Sequence, residues 1–188
     1  RCLKSVQWAD EIIVVDSGST DETVALASQY TSHIYSTDWQ GYGIQKQRAL
    51  SVATGNWVLN LDADEEVGDA LKDAILYVMS ANKADAYRVP IRMSFYDKIL
   101  RYSGSPSRHV RLFKREGATY SKDFLHEKVI LPQKARVGNL SNAIIHYCYR
   151  DVTQALSKMN RYSSITARIR TKKGARVTFL GLMFSAGW

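Results

Sequence analysis

EIIVVDSGSTDETVALA, residues 11–27, reads as a buried strand, a polar turn and a helix in immediate succession. Ile12, Ile13, Val14 and Val15 form a β-branched run that suits a strand covered on both faces. It ends at Asp16 and SGST makes the turn. Ser19 with Glu22 three residues later predicts a capping box for a helix through Val24, Leu26, Ala27 and Tyr30. The alternation continues outward. Leu3, Val6 and Ala9 are spaced as on the tail of a helix over residues 2–8. HIYS (33–36) is a second short strand, and a Gly-flanked helix from Ile44 to Ala53 closes at Thr54-Gly55. WVLNL (57–61) is a third buried strand that runs into Asp62-Ala63-Asp64-Glu65-Glu66, and an amphipathic helix follows over Gly68 to Ser80. Helix and strand in alternation predict an α/β fold with a mostly parallel sheet flanked by helices. Right-handed crossovers then gather Asp16, Asp62 and Asp64 at one sheet edge, where ligands of such folds bind.

From Tyr87 the texture changes. YRVPIRMSFYDKILRY (87–102) reads as a hairpin, HVRLFKR (109–115) as an alternating strand, and LHEKVIL (125–131) and AIIHYCY (143–149) as further strands. A helix from Asp151 to about Lys173 sets Leu156, Met159, Tyr162 and Ile165 against many Arg and Lys, and Val177 to Trp188 is a second, very apolar segment. Residues 1–150 are expected to form the main domain, with 1–80 as a nucleotide-binding half and 81–150 as an acceptor half. Residues 151–188 are expected to be basic amphipathic helices that either meet an anionic membrane or present a core face.

The 188 residues suit one domain with a sizeable core, and 45% hydrophobic with 23% charged residues is ordinary globular composition. The net charge of +8 is uneven. Residues 1–100 carry 9 basic and 14 acidic side chains, and residues 101–188 carry 17 and 4. An acidic half suits a cation, and a basic half suits phosphates, an anionic acceptor or an anionic membrane surface. Cys2 and Cys148 make no CxxC and no disulfide framework, which points to a reducing compartment. No apolar run is long enough to span a bilayer and no secretory h-region is visible. Arg1 stands without Met and Trp188 ends the apolar stretch FLGLMFSAGW, so both ends are expected to be cut.

The chemistry concentrates at two strand ends. Asp62 and Asp64 repel each other, and a divalent ion between them removes that cost. Hard oxygen ligands select magnesium or manganese, which clamps a diphosphate and stabilises the charge that grows on it as it leaves. Glu65 and Glu66 read more simply as acidic residues leading into the next helix. Asp16, at the tip of its strand, can accept hydrogen bonds from a ribose or a base edge. In SRHVRLFKR (107–115), Arg108 and Arg111 either grip a phosphate or guard a strand edge.

Taken together, EIIVVDSGSTDETVALA and GYGIQKQRALSVATGNWVLNLDADEEV resemble family 2 glycosyltransferases of the GT-A fold, most sharply over residues 11–67. More narrowly the chain is similar to bacterial lipopolysaccharide-core β-glucosyltransferases. The resemblance implies that Asp16 contacts uridine, that Lys46 lies near the nucleotide, and that Asp62 and Asp64 are the DxD motif, Asp64 binding the metal directly. It implies a first strand ahead of Arg1, a UDP-sugar donor with glucose as the sugar, a glycolipid acceptor, and work at the inner, cytoplasmic face of a bacterial inner membrane. It also implies inversion by one in-line displacement with an Asp or Glu as base. No Glu-Asp pair stands where that base is commonest, so Glu127, beside His126, is the first candidate and Asp123 the second. His126 or His146 is available to complete a metal shell, and a lone His on an apolar strand is more often structural. The competing reading is a nucleotide- or glycan-binding module without turnover. A nucleic-acid binder ranks last, since Tyr87, Phe95, Tyr96 and Tyr102 accompany basic residues without an RNA-binding signature.

Overall fold

The computed structural model describes residues 1–96, 98–100, 107–121, 127–149, 151–172 and 174. In chain order the elements are α1 (Cys2–Ser5), β1 (Val14–Asp16), α2 (Thr23–Ala27), β2 (Ile34–Ser36), α3 (Tyr42–Val52), β3 (Trp57–Leu59), β4 (Glu65–Glu66) and α4 (Asp69–Ala81). They continue with β5 (Ala86–Phe95), β6 (Lys98–Ile99), β7 (Arg108–Lys114), β8 (Thr119–Tyr120), β9 (Val129–Ile130), β10 (Val137–Asn139), β11 (Ile144–Tyr149) and α5 (Val152–Lys172). The chain divides into two compact units, Arg1–Tyr147 and Cys148–Trp188.

In the first unit, β1 and β2 pair in parallel, with Asp16 opposite Ser36. The larger sheet runs β3-β7-β5-β11-β4, with β10 and β6 also on β5. Here the expectation of a mostly parallel sheet is corrected. β10 lies parallel to β5, but β3–β7, β5–β7, β5–β6 and β4–β11 are antiparallel. The reason lies in the connections. Between β5 and β11 no helix joins successive strands among the described residues, and strands joined without a crossover helix, such as β5 and β6, pair antiparallel.

The sheet has a core on each side. Leu112, Val89 and Tyr87 pack with Leu71 and Ile75 of α4, Val67, Ile144 and Val6. Phe113 and Ala86 pack with Leu50 of α3, Ala118 and Tyr120. Leu112 and Phe113, neighbours on β7, thus point to opposite faces as strand geometry requires. α4 buries Leu71 and Ile75 at helical spacing and ends at Asn82 in the left-handed conformation, a common C-terminal stop. On α3 the buried residues are Gly43, Gln45 and Leu50.

The register on β7 contains one irregularity. Tyr87 pairs with Leu112, and the next residue, Arg88, pairs with Val110, so Arg111 has no opposite residue on β5. A bulge of this kind redirects a side chain and occurs often beside functional sites.

Several local expectations are corrected. The Ser19–Glu22 capping box does not form. The helix starts at Thr23, whose N–H is met by Asp21 Oδ1 at 3.0 Å, while the Ser19 hydroxyl donates to the Asp16 carboxyl. The ionised Asp16 side chain is the stronger acceptor, and the helix ends at Ala27 rather than Tyr30. Glu65 and Glu66 are not the entry to a helix; they form β4 and pair with β11. Strands β8 and β10 were not anticipated, being too short for a period. Asp123, His126 and the segment 177–188 lie outside the described residues. In the second unit, the α5 side chains Val152, Leu156 and Met159 are exposed.

Gly138 on β10 has the Tyr87 ring 2.6 Å from where a Cβ would sit. Gly138→Ala is therefore expected to cost about 1–3 kcal/mol through overpacking, read as a lower urea midpoint with an unchanged slope; an unshifted midpoint contradicts this packing.

Candidate active site

The site assembles where β3 ends. Asp62 and Asp64 lie just past that strand, and the Glu65 N–H donates back to the Asp62 carbonyl at 3.0 Å to form a turn. The Asp62 side chain carries two cations. Its Oδ1 is 2.9 Å from Lys46 Nζ of α3, and its Oδ2 is 3.1 Å from Arg111 Nη2 at the β7 bulge. The same Nη2 lies 2.7 Å from Glu65 Oε1, and Glu65 Oε2 accepts the Asp62 N–H at 2.9 Å. Lys46 Nζ also donates to Glu127 Oε1 at 2.6 Å. Asp62, Lys46, Arg111 and Glu127, read separately from the sequence, thus meet in one network, with Glu65 as an unanticipated fifth member.

Arg111 is 7% exposed and Glu65 1%. The Arg111 Nε is buried without a hydrogen-bond partner. An orphan buried donor of this kind is where an anion or an ordered water is expected. Burial would raise the Asp62 carboxyl, but Arg111 and then Lys46 outweigh it and hold it at about 2. Burial pushes the Glu65 carboxyl up, with Arg111 acting against the rise.

Asp64 differs from Asp62. Its side chain is about as exposed, 42% against 39%, but its Oδ2 is 3.2 Å from His146 Nε2 on β11. The Asp64 carbonyl accepts the Tyr147 N–H at 2.8 Å, and the Tyr147 hydroxyl donates to Glu66 Oε2 at 2.6 Å, so β11 anchors the loop. His146, discounted as structural in the sequence, faces the DxD loop. Asp64 and His146 offer one oxygen and one nitrogen donor, a set that divalent ions accept. Among the described residues, no cluster of three or more His, Cys, Asp or Glu is spaced to hold a metal. His109 on β7 is a further residue not singled out in the sequence; burial, then Arg111 and Lys46, lower its pKa, and Glu127 and Asp62 act on it in the opposite sense.

Asp16 keeps to its own turn. Its Oδ2 accepts the N–H groups of Gly18 and Ser19 at 2.9 and 3.0 Å, and the Ser19 hydroxyl, first among its contacts, lowers its pKa. Helix α3 links this turn to the acidic cluster. Gln45 Nε2 donates to Ser17 Oγ and to Thr37 Oγ1, while the adjacent Lys46 reaches Asp62. Arg108 does not face the cluster through the contact it makes; its Nη1 donates to the Leu140 carbonyl at 2.8 Å.

The family model for glycosyl transferase family 2 matches residues 1–146. The chain belongs to that family. Among family 2 relatives, a glycosyltransferase of Rickettsia felis is 32% identical over 200 residues, covering 100% of this chain and 71% of that protein. The lipopolysaccharide core biosynthesis glycosyltransferase LpsC of Rhizobium meliloti is 30% identical, covering 98% and 71%. Among solved structures, S. aureus TarS in complex with UDP matches with a TM-score of 0.51 at 18% identity, and TarS in complex with UDP-GlcNAc likewise at 0.51 and 18%. These matches cover 79% and 80% of this chain, which spans about half of the TarS chains, 55% and 54%. At that identity the likeness concerns the fold, and the fold is that of the GT-A glycosyltransferases.

The sign of the Asp62 shift fixes a pH dependence. A carboxyl whose folded pKa is about 2 against an ordinary 3.8 stabilises the fold at pH values above 3.8, and that stabilisation is lost as pH falls through 2. From pH 5 to pH 2.5 the thermal midpoint of the wild type is expected to fall further than that of Asp62→Asn. Equal falls would show that Asp62 is not held by its two cations.

Proposed function

We propose that this chain is the core of an inverting, UDP-sugar-dependent hexosyltransferase that moves a sugar, glucose in the first instance, to a lipopolysaccharide-core or similar glycolipid acceptor. Family membership and the named activity of LpsC support the reaction class and the acceptor. The UDP and UDP-GlcNAc complexes of TarS support a nucleotide-sugar donor. The observation that carries the reading is the charge balance at the end of β3. Lys46 and Arg111 face Asp62, Glu65 and Glu127, three carboxylates sharing two cations, with Asp64 against His146 beside them. A diphosphate brought to such a place needs another cation.

A magnesium or manganese ion fits that need, and Asp64 and Asp62 would hold it, with His146 beside Asp64 available to complete the shell. Bound there, it would supply positive charge to a departing diphosphate. The orphan Arg111 Nε suits a donor phosphate or a bridging water, and the nucleotide contacts we propose are Lys46 on α3 and Asp16 in the turn that Gln45 of α3 reaches through Ser17. Residues 1–80 then bind the donor and residues 81–150 the acceptor.

In the transfer, the acceptor hydroxyl oxygen bonds to the anomeric carbon while the bond from that carbon to the diphosphate oxygen breaks. Glu127 takes the hydroxyl proton and UDP leaves with the bonding pair. Lys46, 2.6 Å from Glu127, orients that carboxyl. Asp123 is the alternative base. Outside this unit, α5 carries Lys158, Arg161 and Arg168 beside exposed Val152, Leu156 and Met159, which supports peripheral contact with an anionic bilayer at the inner face of a bacterial inner membrane. No helix among the described residues is long and apolar enough to cross a membrane.

Calorimetric titration with UDP tests the reading directly. Binding is expected with manganese, weak or absent without it, and lost in Asp64→Ala; metal-independent binding, or full binding by Asp64→Ala, rejects the metal assignment. Glu127→Gln is expected to retain UDP binding and to lower turnover by about 10²–10⁴-fold. Turnover at the wild-type rate would move the base to Asp123.

A further inference from the structure

Glu65 is the most buried charged side chain among the described residues, 1% exposed. It hangs from β4, opposite His146 on β11. One of its oxygens takes Arg111 Nη2 at 2.7 Å and the other takes the Asp62 N–H at 2.9 Å. Because Arg111 Nη2 also donates to Asp62 Oδ2 at 3.1 Å, a closed ring forms. Asp62 is held twice by one carboxylate, directly at its backbone and through the guanidinium at its side chain. A buried ion pair stabilises a fold little more than a well-packed apolar pair does, since desolvation offsets the attraction. What an apolar pair does not supply is a fixed direction for a third group. Sites that act on a transition state need that direction within fractions of an ångström.

We propose that Glu65 is a positioning residue that sets the Asp62 carboxylate, acting through Arg111 and through the Asp62 amide. Its part in sugar transfer rests on the function proposed above, whereas its hold on Asp62 does not. Glu65→Gln keeps the shape and removes the charge. In the whole chain, amide hydrogen exchange at Asp62 is expected to quicken about tenfold in this variant while the amides of β5 and β7 are unchanged. Affinity for UDP with manganese is expected to fall about tenfold. Adding Glu65→Gln to Arg111→Gln is expected to cost little more affinity than Arg111→Gln alone, since the two act as one unit. Unchanged exchange at Asp62, exchange that quickens equally across β5 and β7, or fully additive losses would each overturn the proposal. If the wild type binds no UDP, the nucleotide reading fails and the exchange comparison alone decides Glu65. If Glu65→Gln does not fold, Glu65→Asp, which keeps the charge and withdraws it by one methylene, takes its place: selective quickening at Asp62 supports positioning, and its absence overturns it.

Discussion

Arg111 is a guanidinium taken almost wholly out of water, and the rest of the site is arranged around keeping it there. Desolvating such a group costs several kcal/mol unless carboxylates and hydrogen bonds compensate. Asp62 and Glu65 supply the carboxylates, and they come from opposite ends of one short turn. The β7 bulge places Arg111 out of register with β5. The β4–β11 pair fixes Glu65, and the Asn60 N–H bonds to the Arg111 carbonyl at 2.8 Å, tying the end of β3 to the same residue. One buried cation therefore links three strands and the loop between β3 and β4.

Lys46 is the second constraint, and it differs in kind. It reaches in from α3, shares its ammonium between Asp62 and Glu127, and so joins that helix to the segment leading into β9. The neighbouring Gln45 holds Ser17 and Thr37, so a single turn of α3 spans the distance between the Asp16 turn and the acidic loop.

The sequence made the order of elements around the site readable and left their pairing hidden. Ile12 to Val15 and Trp57 to Leu61 announce strands by β-branching and by the aspartates that stop them, and those aspartates lie where the strands end. The pairing partner of each strand is a long-range property, and Arg111 shows why it was hidden: nothing in HVRLFKR indicates that β5 skips a residue there. Glu65 was misread for a related reason. An acidic pair ahead of a helix has a complete local explanation in the helix dipole, and only burial against a distant arginine overrides it. His146 sits in an apolar strand, and the register that sets it against Asp64 is again non-local. Ser19 and Glu22 mark the opposite limit, where a sound local rule lost to a stronger acceptor three residues before the expected capping box, the Asp16 carboxyl.

The DxD triplet is thereby divided into two unlike carboxylates. Asp62 has both oxygens engaged by fixed cations and is held ionised to low pH. Asp64 faces a histidine. The two side chains are about equally exposed, 39% and 42%, so what separates them is their partners and not their burial. The first ties the loop to the cations of α3 and β7, and the second sets it against β11.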